Sequence, residues 1–126
     1  MQDVLQKGLT HTSRLTVGRE HTALAMGSGD MEVFATPAMV ALMEHAAMLA
    51  VASSLPEGST TVGAQMDTTH LRPSAVGAEI EARAELVAVE GRKLTFHVQA
   101  TDRGETIGEG THVRFVVDRA RFLAKL

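Results

Sequence analysis

The stretch from Ala38 to Ala52 limits the folds open to this chain more than any other feature. Met39, Val40, Leu42, Met43, Ala46, Ala47, Leu49, Ala50 and Val51 place apolar side chains nearly all round a helix. A helix of that kind has to be enclosed rather than laid on a surface. Thr36 suits its N-cap and Pro37 its first turn, and Ser53-Ser54 with Pro56-Glu57-Gly58 ends it. Glu44 and His45 interrupt the apolar run, which is too short and too polar to span a bilayer.

The remaining sequence reads as strands that can supply the enclosing wall. Residues 9–25 have strand character, with Leu15, Val17 and Thr22 among polar residues, and Gly27-Ser28-Gly29-Asp30 makes a loop. Residues 61–71 form a second strand, closed by Arg72-Pro73. From Glu79 to Val89 the chain alternates, with Ile80, Ala82, Ala84, Leu86 and Ala88 on one face. A turn at Glu90-Gly91-Arg92 leads to a strand with Leu94, Phe96, Val98 and Ala100 on its apolar face. A second turn at Asp102-Arg103-Gly104-Glu105 leads to another, with Ile107, Thr111, Val113, Phe115 and Val117. Three long strands joined by tight turns form an antiparallel meander.

Strand, buried helix and four further strands is the order of an α+β hotdog fold, in which one antiparallel sheet wraps a long helix. An α+β sandwich of another topology is the alternative. The length of 126 residues fits a single domain, 1–126. A hotdog sheet ordinarily pairs with that of a second subunit, so a homodimer is expected, with stacking into tetramers left open.

Composition narrows the chemistry. With no cysteine, disulfides, thiolate metal sites and a cysteine nucleophile are excluded. A net charge of −3 without a basic stripe argues against nucleic acid, and four Phe with no Trp or Tyr offer little for base stacking. Residues 1–10 lack the apolar core of a signal peptide, so no membrane association and a reducing cytoplasm are expected. No histidine pair has metal-ligand spacing with a third ligand nearby, so no metal and no cofactor are expected. Gly108-Glu109-Gly110 lacks the third glycine of a phosphate loop and falls within a strand.

Glu44 is the conspicuous polar residue, because an unpartnered carboxylate in apolar surroundings is costly. Either an active site or a helix turn open at one end would account for it. Thr36 lies eight residues earlier, on roughly the same side of the helix but about 12 Å along it. A shared site therefore needs Thr36 displaced at the cap or Glu44 supplied by a second copy. His70 closes a strand that carries Thr68 and Thr69, and the other histidines, His112 among them, read as surface residues.

Four blocks in order resemble the fluoroacetyl-CoA thioesterase-like family. They are Val33-Phe34-Ala35-Thr36-Pro37 through Glu44, Val62-Gly63-Ala64-Gln65 through His70, Ala84-Glu85-Leu86 through Leu94, and Ile107-Gly108-Glu109-Gly110-Thr111-His112-Val113-Arg114. The resemblance runs from about Val17 to Lys125. It implies an acyl-CoA thioesterase acting on a small or medium acyl group, with Thr36, Glu44 and His70 as catalytic residues. It further implies Gly63, Arg114 and Phe34 at the substrate. One difference stands out: the bulky Phe residues of the fluoroacetyl-specific lid have no counterpart in Met26-Gly27-Ser28-Gly29-Asp30-Met31. General acyl-CoA hydrolysis is therefore expected rather than fluoroacetyl specificity. A non-hydrolytic acyl-CoA-binding module and a hotdog hydratase remain as alternatives. Arg72, Arg92 and Lys93 are candidates for the CoA phosphates, although solvated surface charge is the favoured explanation of them.

Overall fold

A computed structural model describes residues 5–126; residues 1–4 lie outside it. The five strands are β1 (Thr10–Thr16), β2 (Ser59–Thr68), β3 (Glu79–Glu90), β4 (Lys93–Asp102) and β5 (Glu105–Asp118). They form one antiparallel sheet in the order β1-β3-β4-β5-β2, so the meander is β3-β4-β5, and β1 and β2 are its flanks. The long helix follows a short one, α1 (Ala23–Met26), and is labelled α2 (Thr36–Ala52); a last helix, α3 (Arg119–Ala124), follows β5. The wrapped-helix α+β architecture is the one expected from the order of elements.

The core lies between α2 and the inner face of β3 and β4. Met39, Met43, Ala46, Ala47 and Val51 of the helix meet Ile80, Ala82, Ala84, Leu86, Leu94, Phe96, Val98 and Ala100, all fully buried. The alternation of β3 and β4 thus does what its period implies, and the alanines of α2 let the helix lie close to the sheet. Each of the larger side chains contributes about 1.5–3 kcal/mol by leaving water. The β4–β5 turn places both Arg103 (φ 54°) and Gly104 (φ 78°) in the left-handed region, the geometry that matches strand twist in a two-residue hairpin loop.

Four expectations are corrected. The strand expected over residues 9–25 ends at Thr16. Beyond it a turn at Arg19–His21 leads into α1, which Thr22 caps by accepting from the Ala25 N–H at 3.2 Å. The helix α2 is not enclosed on all sides: Pro37, Ala41, His45 and Leu49 are exposed on one stripe, so the single chain leaves one side of it open. The strand expected over 61–71 begins at Ser59 and ends at Thr68.

The fourth correction concerns β5. Its inner face was expected to carry Ile107, Thr111, Val113, Phe115 and Val117; Ile107, at the register slip opposite Ala100 and Thr101, does lie in the core, and the correction concerns the residues after it. Register places His112 opposite Phe96 and Arg114 opposite Leu94, both core-facing, so the series Gly108, Gly110, His112, Arg114 faces the helix. Phe115 is 38% exposed on the other side. A one-residue change of parity moves every side chain of a strand to the opposite face. Hydrophobic alternation chose the wrong parity because the inner face of this strand is polar, and it is polar where the site lies.

Candidate active site

Two clusters of functional groups sit along α2. The first is at its N-terminus. Thr36 is the first helical residue and Ala35 occupies the N-cap position, so the expected capping role for Thr36 does not hold. Its Oγ1 instead lies 2.7 Å from His70 Nδ1. The position of His70 depends on two glycines. A Cβ on Gly110 would run into the Asp67 carbonyl oxygen and one on Gly108 into that of Thr69, so only glycines let the end of β2 lie this close to β5. Beyond β2 the chain stays tethered by Thr69 N–H to Glu109 C=O (3.1 Å) and Leu71 N–H to Ile107 C=O (2.8 Å). These bonds carry His70 over the helix start.

Phe34, expected at the substrate, is 2% exposed. Its ring meets that of His70 edge-on, with centroids 6.2 Å apart, so it backs the imidazole rather than lining a cleft. Burial pushes the His70 imidazole below its ordinary value, with the Arg72 main chain partly opposing. The ring is therefore neutral near pH 7 and able to take a proton from Thr36 or a water. Its Nε2 is buried, with no partner among the described residues within hydrogen-bonding distance.

The second cluster is two helical turns on. Glu44 is not sealed among apolar groups: its side chain is 41% exposed, and its Oε2 stands 3.8 Å from Arg114 Nη1. Arg114 was expected to touch substrate, yet its side chain is only 8% exposed. It donates from Nε to Thr61 Oγ1 at 2.8 Å and from Nη2 to the Thr61 carbonyl at 3.0 Å, which spends most of its fork on β2. Gly63 belongs here. A Cβ at this position would stand 2.7 Å from Glu44 Oε2, so the missing side chain leaves room for the carboxylate. The β2–β5 register slips between Gly63 and Gln65, leaving Ala64 as a bulge next to Gly63.

His112 is the member that sequence reasoning missed. It was read as a surface residue and is 1% exposed. Its Nδ1 donates to the Gln65 carbonyl at 2.7 Å, and its Nε2 lies 3.2 Å from Arg114 Nη1. Burial holds this imidazole below its ordinary value, opposed by the Gln65 carbonyl and reinforced by Arg114, with Glu44 acting the other way. The one signal available was parity, because Gly108, Gly110, His112 and Arg114 share a face.

The chain thus joins Thr36 to His70, and Glu44 to Gly63, Arg114 and His112. It does not bring the two clusters together, since about 12 Å of helix separates Thr36 from Glu44. Of the proposed CoA-phosphate groups, Arg72 is paired with Glu105 at 2.9 Å, while Arg92 and Lys93 lie at the β3–β4 turn. Among the described residues no three His, Cys, Asp or Glu stand close enough to hold a metal ion, and no helix is long and apolar enough to cross a membrane.

Comparison with known proteins places this geometry in context. The sequence profile of the fluoroacetyl-CoA-specific thioesterase family matches residues 17–120. The fluoroacetyl-CoA thioesterase of Streptantibioticus cattleyicolor is 42% identical over 95 residues, covering 75% of this chain and 68% of that protein. A phenylalanine-to-alanine mutant of a fluoroacetyl-CoA-specific thioesterase, solved with fluoroacetate and CoA, superposes with a TM-score of 0.87 at 34% identity, over 94% of this chain and 99% of that one. A thioesterase superfamily member from Thermus thermophilus superposes with a TM-score of 0.88 at 25% identity, over 95% of this chain and 89% of that one.

Proposed function

The chain belongs to the fluoroacetyl-CoA-specific thioesterase family, and from that membership we propose that it hydrolyses a small or medium acyl-CoA with Thr36, His70 and Glu44 at the reacting centre. As a hotdog thioester hydrolase it releases a free acid and CoA. The observation that carries the assignment of residues is the 2.7 Å contact between Thr36 Oγ1 and His70 Nδ1, a hydroxyl beside an imidazole kept neutral by burial.

His70 takes the proton of the attacking oxygen, which belongs either to Thr36 or to a water held by it. The new carbon–oxygen bond converts the thioester carbonyl to an oxyanion, and we assign the backbone N–H of Gly63 as the donor that receives that charge. Collapse breaks the carbon–sulfur bond, and the imidazolium returns its proton to the departing thiolate. If Thr36 attacks, an acyl ester remains, and a water activated by Glu44 removes it. If water attacks, the acid leaves directly. A burst of thiol release before steady state distinguishes the first route.

Because Thr36 and Glu44 stand about 12 Å apart along one helix, we infer that a complete site combines two copies in a homodimer. The open stripe of α2 and the outer edge of β2, which pairs with β5 alone among the described strands, support this reading. A cysteine-free chain of this kind suits a reducing cytoplasm. Residues 26–31 carry no aromatic group, so we assign no preference for a fluorinated acyl chain.

The test is thiol release from a panel of acyl-CoA esters, with acetyl-CoA and fluoroacetyl-CoA compared directly. Turnover with similar kcat/KM for those two is expected. A strong preference for fluoroacetyl-CoA would overturn the specificity assignment. Tight binding without turnover of any ester would replace the hydrolase with a binding module.

A further inference from the structure

His112 is buried, polar on both ring nitrogens, and unused by the chemistry just described. Its Nδ1 lies 2.7 Å from the Gln65 carbonyl oxygen, which only accepts, so the proton resides on Nδ1. In the neutral ring Nε2 is then an acceptor, and the group facing it at 3.2 Å is Arg114 Nη1. A guanidinium Nη carries two hydrogens. One points at His112, leaving the other on the side where Glu44 Oε2 stands at 3.8 Å. The remaining donors, Nε and Nη2, hold Thr61. Arg114 is thus fixed at three atoms, and His112 fixes the one nearest the carboxylate. The same ring holds the Gln65 carbonyl just beyond the bulge, so it also ties down the main chain that follows Gly63.

We propose that His112 is a positioning residue for hydrolysis: it anchors Arg114 against Glu44 and pins the β2 bulge, without touching substrate itself. The inference rests on the reading of Glu44 as part of the reacting centre. It also explains why a histidine occupies this inward position. A hydrophobic residue would fill the space beside Phe96, whose ring lies 6.3 Å from that of His112, but would leave the Arg114 Nη1 hydrogen that faces this ring, and the Gln65 carbonyl, without a partner.

Two substitutions separate the two bonds. In His112→Asn the amide N–H takes the place of Nδ1 and can still reach Gln65, but nothing reaches Arg114. In His112→Gln the longer amide sets an oxygen near the Nε2 position and restores the acceptor for Arg114. The expected result is a kcat about 10- to 100-fold lower for His112→Asn with KM little changed, and substantial recovery in His112→Gln. In an Arg114→Lys background, His112→Asn is expected to cost less than about threefold more, because its target has gone.

A purely structural histidine predicts otherwise. Both variants would lose thermal stability and activity in parallel, and the loss would recur undiminished in the Arg114→Lys background; that pattern overturns the proposal. So does a nitrogen NMR spectrum of the wild-type protein that places the ring proton on Nε2, a readout independent of turnover. If the wild type hydrolyses no CoA ester, the hydrolase reading falls and this inference with it. If the wild type turns over and His112→Asn matches it, only this inference falls.

Discussion

Replacing Gly63 with alanine tests whether the position of the Glu44 carboxylate governs the rate. The new Cβ would stand 2.7 Å from Glu44 Oε2, 3.3 Å from His112 Cε1 and 3.4 Å from Arg114 Nη1. Carbon and oxygen rest at roughly 3.3 Å or more, so about 0.6 Å of room is missing on the Glu44 side. The imidazole and guanidinium cannot move to provide it, because Gln65 and Thr61 hold them. The carboxylate ends a flexible, 41% exposed side chain and will swing away. Stability should change little. Gly63 is not among the positive-φ glycines, so alanine adds no backbone strain there, and it gains about 0.4–1 kcal/mol by restricting the unfolded chain. Crowding of about 1 kcal/mol, softened by the mobile carboxylate, roughly cancels that gain. A displacement approaching 1 Å in a reacting group costs on the order of 100-fold in rate. The expected variant therefore melts within about 5 °C of wild type and hydrolyses acyl-CoA about 100-fold more slowly. Thiol-release kinetics beside a thermal scan measure both. A folded Gly63→Ala protein with kcat/KM within about threefold of wild type would refute the reasoning.

Gly110→Ala should behave in the opposite sense. Its Cβ would meet the Asp67 carbonyl and stand 2.6 Å from the Thr68 Cα, and because main chain cannot swing aside, a loss of about 3 kcal/mol is expected in chemical unfolding; an unchanged midpoint would contradict the close strand crossing. Thr36→Ala and Glu44→Gln should each abolish most activity alone, yet mixed and reassembled they should regain about a quarter of wild-type turnover, since mixed dimers hold one intact site; no recovery would place the whole site within a single chain. His70 and His112 are both held below the 6.5 of an unperturbed imidazole. The unfolded chain therefore binds more protons than the folded one as pH falls through that value, and thermal stability should decline on acidification from about pH 6.5 toward the lower folded-state values. A flat profile would show that neither ring is held neutral. For the same reason the acid limb of kcat/KM due to His70 should lie below 6.5.

The sequence by itself determined the architecture. A helix apolar on nearly every side demands an enclosing wall, and alternating strands with tight turns have one economical way to provide it, so α2 and the β3-β4-β5 meander were legible within a residue or two. It also singled out Thr36, Glu44 and His70, and these do stand at α2 and the end of β2. Only the tertiary structure decided how they are grouped. Local pattern carries no information on which residues distant in sequence meet across a sheet. The contact of Thr36 with His70 depends on two β5 glycines admitting the end of β2, and the setting of Glu44 depends on Arg114 and His112 facing inward. Periodicity assigned the opposite parity to β5 because it assumes that inward means apolar. That assumption fails where a strand gives up core packing to hold polar groups, as β5 does with His112 and Arg114.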